Sequence, residues 1–264
     1  MKIFLTSFFV IISFFASAQI GGLSSSKLSS LSADVVNGNN MEFEPGFKSS
    51  RSNKYFDNDG NSQNMFSTSD SVRHVTGMAF RFTYGLWDKL EIGMSVSTDL
   101  SLVNIGTKYE FINKEKISVA VIAGLNVPMG NGTVNQSIRT TTNILQAGLG
   151  GVVSYAFSDR LSADVTAQYA HFLKSTIDNN TGGMYINGDV GYYFFDNKFK
   201  LITGFGFYNI NNDIGSHQAL TVYPGFTVES GKNYIIACSV PFDVYGKNES
   251  KNVAFNFTLT LTFD

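Results

Sequence analysis

Alternation of apolar and polar residues is the dominant pattern of the chain, and it is clearest over Thr76–Ser97. Large apolar side chains occupy every second position from Met78 to Leu86, with small or polar residues between them. The alternation resumes after Trp87-Asp88-Lys89, so the stretch predicts a β-hairpin with one apolar and one small, polar face. That apolar face would be buried in a soluble β-sandwich, whereas in an outer-membrane barrel it would face lipid.

The same pattern predicts twelve strands. The hairpin Thr76–Ser97 supplies two of them, and the others are Met41–Lys48, Leu102–Phe111, Ile117–Val127, Thr142–Phe157, Leu161–His171, Met184–Phe195, Lys198–Asn209, Gln218–Val228, Asn233–Val240 and Val253–Asp264.

The predicted connections alternate between short and long, which decides between the two folds. The short ones are Trp87–Lys89, Asn113–Lys116, Ser158–Arg160, Asp196-Asn197 and Glu229–Lys232; the longer ones include Ser49–Arg73, Pro128–Thr141, Phe172–Gly183, Ile210–His217 and Pro241–Asn252. Short periplasmic turns and long extracellular loops are typical of an outer-membrane barrel, and a sandwich has no reason to sort its loops in this way.

Composition favours the same fold. Charged residues are only 15% of the chain, aromatic residues are 14%, and there are 25 glycines. The net charge of -2 gives no reason to expect a nucleic-acid partner, and a single cysteine, Cys238, excludes an intramolecular disulfide. We therefore predict an all-β fold: a membrane-spanning, antiparallel, up-and-down β-barrel of about twelve strands in the cell outer membrane, surrounded by lipid.

The N-terminal region divides into two parts before the barrel at residues 40–264. Residues 1–18 have the charged start, the apolar run and the Ala16-Ser17-Ala18 cleavage site of a secretory signal peptide. Residues 19–39 are Ser-rich, and the spacing of apolar residues in Lys27–Val36 is that of a short amphipathic helix. This segment could lie at the periplasmic mouth or plug the barrel, but the composition favours a mobile periplasmic lead-in.

Aromatic residues gather at one end of the outer face, next to the short turns. We expect them to form a girdle at the periplasmic membrane interface: Tyr84, Trp87, Tyr109, Phe111, Tyr155, Phe157, Tyr192, Phe194 and Phe263.

The opposite parity places charged and amide side chains inside the barrel. These candidate lumen residues are Arg81, Glu91, Lys108, Glu110, Asp164, Gln168, Asp189 and Lys200. They could form a solvated wall of paired charges, or a constriction in which Arg81 and Lys108 face the acidic residues across the lumen. The shear number would decide which residues stand level, and the sequence leaves it open.

One hairpin carries a family resemblance. Arg81–Gly93, RFTYGLWDKLEIG, resembles the outer-membrane channels named for the meta-pathway of phenol degradation, whose hallmark is an arginine-bearing strand that enters such a hairpin. Met41–Phe47, MEFEPGF, is similar to the first strand of that family. The resemblance implies transport of small, often hydrophobic molecules across the outer membrane.

The alternatives to a channel are a structural barrel and an enzyme. A non-conducting barrel would bind an envelope partner through the loops Ser49–Arg73 and Pro128–Thr141. An outer-membrane lipid hydrolase is the remote alternative, but its His-x-Ser-Asn signature is missing around His171. An outer-membrane protease would need paired acidic residues together with an Asp-x-His motif, and the sequence has no such combination. The three histidines are scattered, so we expect no metal, no cofactor and no enzymatic activity. Passive passage of small molecules, hydrophobic ones included, is the predicted function, and the solute stays open.

Overall fold

The computed structural model describes residues 20–24, 28–68, 71–129, 145–174, 182–195, 198–212, 215–230 and 233–264. The predicted signal peptide, most of the predicted loop Pro128–Thr141 and the predicted turn Asp196-Asn197 lie outside these ranges. Among the described residues, no helix is long and apolar enough to cross a membrane.

The described chain contains fourteen strand segments. They are β1 (Met41–Phe56), β2 (Ser62–Asn64), β3 (Arg73–Trp87), β4 (Leu90–Ser97), β5 (Leu102–Asn113), β6 (Ile117–Pro128), β7 (Leu145–Ala156), β8 (Leu161–Lys174), β9 (Gly182–Phe194), β10 (Phe199–Asn212), β11 (Gly215–Ser230), β12 (Tyr234–Ser239), β13 (Phe242–Lys247) and β14 (Glu249–Phe263).

These segments form one closed antiparallel barrel of twelve strands. Each strand from β3 to β11 pairs with the next along the chain, and β1 closes the barrel by pairing with both β3 and β14. β12 and β13 occupy one position between β11 and β14, because Val240-Pro241 interrupts that strand. β2 only extends the pairing of β1 beyond the barrel. The predicted fold and strand number are confirmed.

Side chains alternate between the two faces of the wall. In β3, Arg81 and Thr83 point inward and are buried, while Phe82 and Tyr84 are exposed on the outside. An apolar exterior around a polar interior is the inverse of a soluble protein and is typical of a membrane barrel.

The strands are longer than the sequence predicted. The predicted loop Ser49–Arg73 is wrong over much of its length, because β1 continues to Phe56 and β3 already begins at Arg73. Backbone pairing continues beyond the apolar band, where both faces are polar, so the alternation ends before the hydrogen-bonded ladder does.

Two further predicted loops are wrong for the same reason. β10 and β11 pair as far as Asn212 and Gly215, which removes the predicted loop Ile210–His217. The predicted loop Pro241–Asn252 is instead β13, a turn and the start of β14. Asn248 makes that turn at φ 52°, a left-handed conformation that asparagine tolerates better than most residues.

Candidate functional site

The segment before β1 lies inside the barrel. We call residues 20–24 and 28–40 the plug. Its side chains Ile20, Leu23, Leu31 and Ala33 are buried and form an apolar cluster with Ala120, Ile122 and Val152 of the wall. The predicted helix is absent from residues 28–36, because backbone N–H groups there donate to side chains of the barrel instead of to the segment itself. The mobile lead-in that the composition favoured is therefore not what the structure shows.

Glu91 on β4 and Lys108 on β5 anchor both halves of the plug. The Glu91 carboxylate accepts hydrogen bonds from the backbone N–H of Ser24 at 2.9 Å and of Val36 at 2.8 Å, and from the Ser24 hydroxyl. The Lys108 ammonium lies 3.4 Å from Glu91 and donates to the carbonyls of Ser24 and Ser32 at 3.2 and 3.1 Å. Both side chains are fully buried, so the ion pair is satisfied only while the plug is in place.

Asp189 on β9 makes the second anchor. Its Oδ2 accepts from three successive backbone N–H groups, those of Leu28, Ser29 and Ser30, at 3.3, 3.0 and 2.7 Å. The hydroxyls of Ser29 and Ser30 donate to the same carboxylate, each at 2.8 Å. Such charge-assisted hydrogen bonds are stronger than neutral ones, so Asp189 fixes this part of the plug.

Neutral side chains of β7 and β8 hold the plug between the two carboxylates. Gln168 accepts from the N–H of Ile20 at 2.9 Å, and Thr166 accepts from that of Leu31 at 3.0 Å. The Ala33 N–H donates to the Ser154 hydroxyl at 2.8 Å, and that hydroxyl donates to Asp164 at 2.6 Å.

A row of four glycines makes room for the start of the plug. Gly93, Gly106, Gly124 and Gly148 are paired neighbours across β4 to β7. A Cβ at Gly93 would lie 1.7 Å from the Gly22 carbonyl oxygen, and one at Gly106 would lie 2.6 Å from the Gly21 carbonyl oxygen. A Cβ at Gly124 or Gly148 would lie 2.5 or 2.8 Å from the Ile20 side chain. The backbone of Gly21 and Gly22 therefore lies directly against the first two glycines, and the Ile20 side chain packs against the other two, where a Cβ would intrude.

The candidate lumen residues all point inward, each 6% exposed or less. Of the two alternatives for these residues, a wall of paired charges or a constriction across the lumen, Arg81 has the contacts of the first, because it pairs within the wall. Its guanidinium donates to Glu42 at 3.0 Å and to Glu44 at 2.8 Å, and Thr260 on β14 also donates to Glu44. The sequence analysis missed Glu42 and Glu44, although both have inward parity on β1.

The remaining two candidates differ in their contacts. The Lys200 ammonium donates to Ser162 at 2.9 Å and lies 4.6 Å from the centre of the Tyr193 ring. Glu110 is 4% exposed, and its Oε1 has no hydrogen-bond partner among the described residues.

The predicted girdle residues are all on the outer face. Their exposed fractions range from 40% for Tyr84 to 68% for Trp87. Tyr155 and Phe157, and likewise Tyr192 and Phe194, are in edge-to-face contact with ring centres 4.8 Å apart. Their place at the membrane interface stays a prediction.

Among the described residues, two cavities beside the plug share part of their lining. The upper cavity, about 250 Å³, crosses the barrel above the plug on the side away from the chain termini. The lower cavity, about 270 Å³, lies along the inner face of β12, β14, β1 and β3, which we call the open wall. Leu28, Ser29, Lys48, Gly77 and Asn256 line both cavities.

Small inward residues line much of the lower cavity on the open wall, which also carries Lys48. Gly46, Ala79, Ala237 and Ser239 line the lower cavity, and Ala79 is exposed although it points inward. Sequence analysis missed these positions, because small inward residues look the same whether they face a plug, water or a packed side chain.

Several solved outer-membrane proteins have the same fold as this barrel. The COG4313 outer-membrane channel from Pseudomonas putida F1 has a TM-score of 0.69 at 12% identity, over 88% of this chain and 98% of that chain. The NanC porin has a TM-score of 0.56 at 12% identity, over 84% and 98%. The KdgM porin in complex with disordered oligogalacturonate has a TM-score of 0.50 at 11% identity, over 85% and 99%. These identities show a shared fold.

Sequence comparison identifies the family. No curated protein sequence matches the chain. A family model described as a membrane-bound beta barrel domain, DUF5777, matches residues 39–226. The resemblance to the meta-pathway channels is not confirmed by these matches. The plug begins before the matched region, whereas most of the barrel lies within it. The chain therefore belongs to the DUF5777 family of membrane-bound β-barrel domains.

Proposed function

We propose that this protein is an outer-membrane channel in which the plug narrows the lumen and small molecules pass beside it. The observation that carries the proposal is the asymmetry of the interior. Glu91, Lys108 and Asp189 hold the plug against β4, β5 and β9, while the lower cavity follows the open wall and the upper cavity extends from there to Tyr185 and Asn187 on β9. Outer-membrane channels and porins with the same fold support this assignment.

We call Arg81 with its partners Glu42 and Glu44, and Thr260, the Arg81 cluster. It lies at the end of this route that is nearer to the chain termini. In the register of β1 and β3, Gly46 opposite Ala79 is followed towards the termini by Glu44 opposite Arg81. At this level the large side chains of Glu44 and Arg81 occupy the inner face, whereas one step earlier the small residues Gly46 and Ala79 line the lower cavity. We propose that the Arg81 cluster sets the size limit for solutes.

Swelling of liposomes that contain the refolded protein tests the proposal. We expect uptake of small solutes by the wild type, and faster uptake with a larger size limit in Asp189→Asn. In the wild type the Asp189 carboxylate accepts hydrogen bonds from plug N–H groups, and the NH2 of the asparagine amide would repel these donors. Asp99→Asn makes the same change in an exposed turn and should leave the rate unchanged.

The channel would be contradicted if no solute entered liposomes that contain the wild type or Asp189→Asn, while a gel mobility that changes on heating showed that both proteins were folded barrels. A non-conducting barrel that binds an envelope partner would then be the better explanation.

A further inference from the structure

We propose, on the basis of the channel function above, that the route beside the plug selects neutral, hydroxyl-rich solutes of about the size of a simple sugar. The two cavities together have the volume of a small-molecule site. Their lining chemistry indicates the solute class.

The upper cavity combines tyrosine rings with side-chain amides. Tyr185 and Tyr208 stack with ring centres 6.3 Å apart and an interplanar angle of 30°, and Tyr223 lines the same cavity. Asn187, Asn252 and Asn256 line it as well. Tyrosine offers an apolar face with a polar end, and an amide both donates and accepts, which suits a solute with C–H faces and hydroxyl edges.

Two lining groups still lack a hydrogen-bond partner. The Tyr185 hydroxyl and the Asn256 Oδ1 are buried, and neither has a partner among the described residues. Both atoms are already shielded from water, so an apolar solute would leave them unsatisfied. After a small rotation of its side chain towards the cavity, Asn256 can accept from a solute hydroxyl, and Tyr185 can donate to one or accept from one.

Charges in the lining are compensated within the wall. Lys48 is attracted by Asp243, which itself accepts from the Thr221 hydroxyl at 2.6 Å and from the backbone N–H of Asn252 at 2.8 Å. Glu249 lies 3.5 Å from the His217 ring, which balances the carboxylate charge when the imidazole is protonated. A charged solute would lose its hydration without meeting an uncompensated opposite charge, so the lining favours neutral solutes.

The lower cavity continues the same chemistry along the open wall. Ser239 and Thr258 provide hydroxyls there, while Gly46 and Ala79 keep the passage wide. Asn256 lines both cavities, so a solute that moves between them can keep its contact with this amide.

Liposome swelling with three probes tests the selectivity: D-glucose, its anionic relative gluconate, and glutamine as a zwitterion. We expect glucose to enter fastest. Tyr185→Phe and Asn256→Leu should each lower the ratio of the glucose rate to the glutamine rate by about two- to tenfold, the equivalent of one neutral hydrogen bond. Thr227→Val is the matched control, because the Thr227 hydroxyl is also buried without a partner among the described residues but lines neither cavity.

The outcomes separate this inference from the channel itself. The solute class would be overturned, and a channel would remain, if glucose entered no faster than gluconate or glutamine. The same conclusion would follow if the ratio of the glucose rate to the glutamine rate were unchanged in both variants. Entry of no probe, even through Asp189→Asn, would overturn the channel and the solute class with it.

Discussion

The two sides of the barrel interior differ in their residues and in their contacts with the plug, although both follow the same alternating strand pattern. The docking wall, formed by the inner faces of β4 to β9, carries buried charges and the glycine row, and it binds the plug. The open wall carries mostly small and neutral polar residues beside the lower cavity, together with Lys48. A buried charge is costly unless it is paired: Glu91 is paired by Lys108 and by plug N–H groups, and Asp189 by plug N–H groups and hydroxyls.

The comparison indicates that the plug is part of the fold on one side and, in the proposed channel, a boundary of the route on the other. Removing a docking-wall charge should release the plug and destabilise the barrel. A change on the open wall should alter flux with little effect on stability.

The largest effect is expected for Glu91→Ala. It removes three hydrogen bonds to the plug and leaves Lys108 buried without its carboxylate partner. Breaking a buried ion pair in this way should lower the free energy of unfolding by about 3–5 kcal/mol, measured by urea titration in lipid vesicles. The double variant Glu91→Leu with Lys108→Met removes both charges and should lose less; an equal or larger loss would contradict the role of the pair.

Gly93→Ala should have the next largest effect. A Cβ there would lie 1.7 Å from the Gly22 carbonyl oxygen, so the plug must shift, at a cost of about 1–3 kcal/mol. In a Cys238→Ser background, a cysteine at Leu23, which is 1% exposed, reports the shift by faster labelling with a water-soluble maleimide. Gly151→Ala is the control, since its Cβ would have 3.8 Å to the nearest atom. Equal labelling of the two variants would argue against docking on the glycine row.

The smallest stability effect is expected for Ala79→Leu on the open wall. Ala79 points into the lower cavity and is exposed there, so a larger side chain enters open space. The free energy of unfolding should change by less than about 0.5 kcal/mol, while solute uptake falls. A large loss of stability with unchanged uptake would show that the lower cavity is not on the route.

Much of the barrel could be predicted from the sequence, because period-two alternation records directly which residues face lipid. The lumen set from Arg81 to Lys200 and the outward aromatic residues follow from parity alone. Strand ends such as Phe56 could not be predicted, because pairing outlasts the alternation there.

The interior arrangement needed the structure. Nothing local in the Ser-rich segment shows that Ser24 and Ser30 bind carboxylates 67 and 159 residues away. The one available signal was the recurrence of glycine at inward positions 93, 106, 124 and 148 in four successive strands, which marks a close backbone approach.

Locking the plug tests most directly the claim that solutes pass beside it. Leu31 and Thr166 are in contact, with the Leu31 N–H 3.0 Å from the Thr166 hydroxyl. In a Cys238→Ser background, Leu31→Cys with Thr166→Cys should form a disulfide, and glucose uptake into liposomes should be the same in oxidised and reduced protein. Uptake that stops on oxidation and returns on reduction would show that the plug must leave its site, and would contradict a route along the open wall.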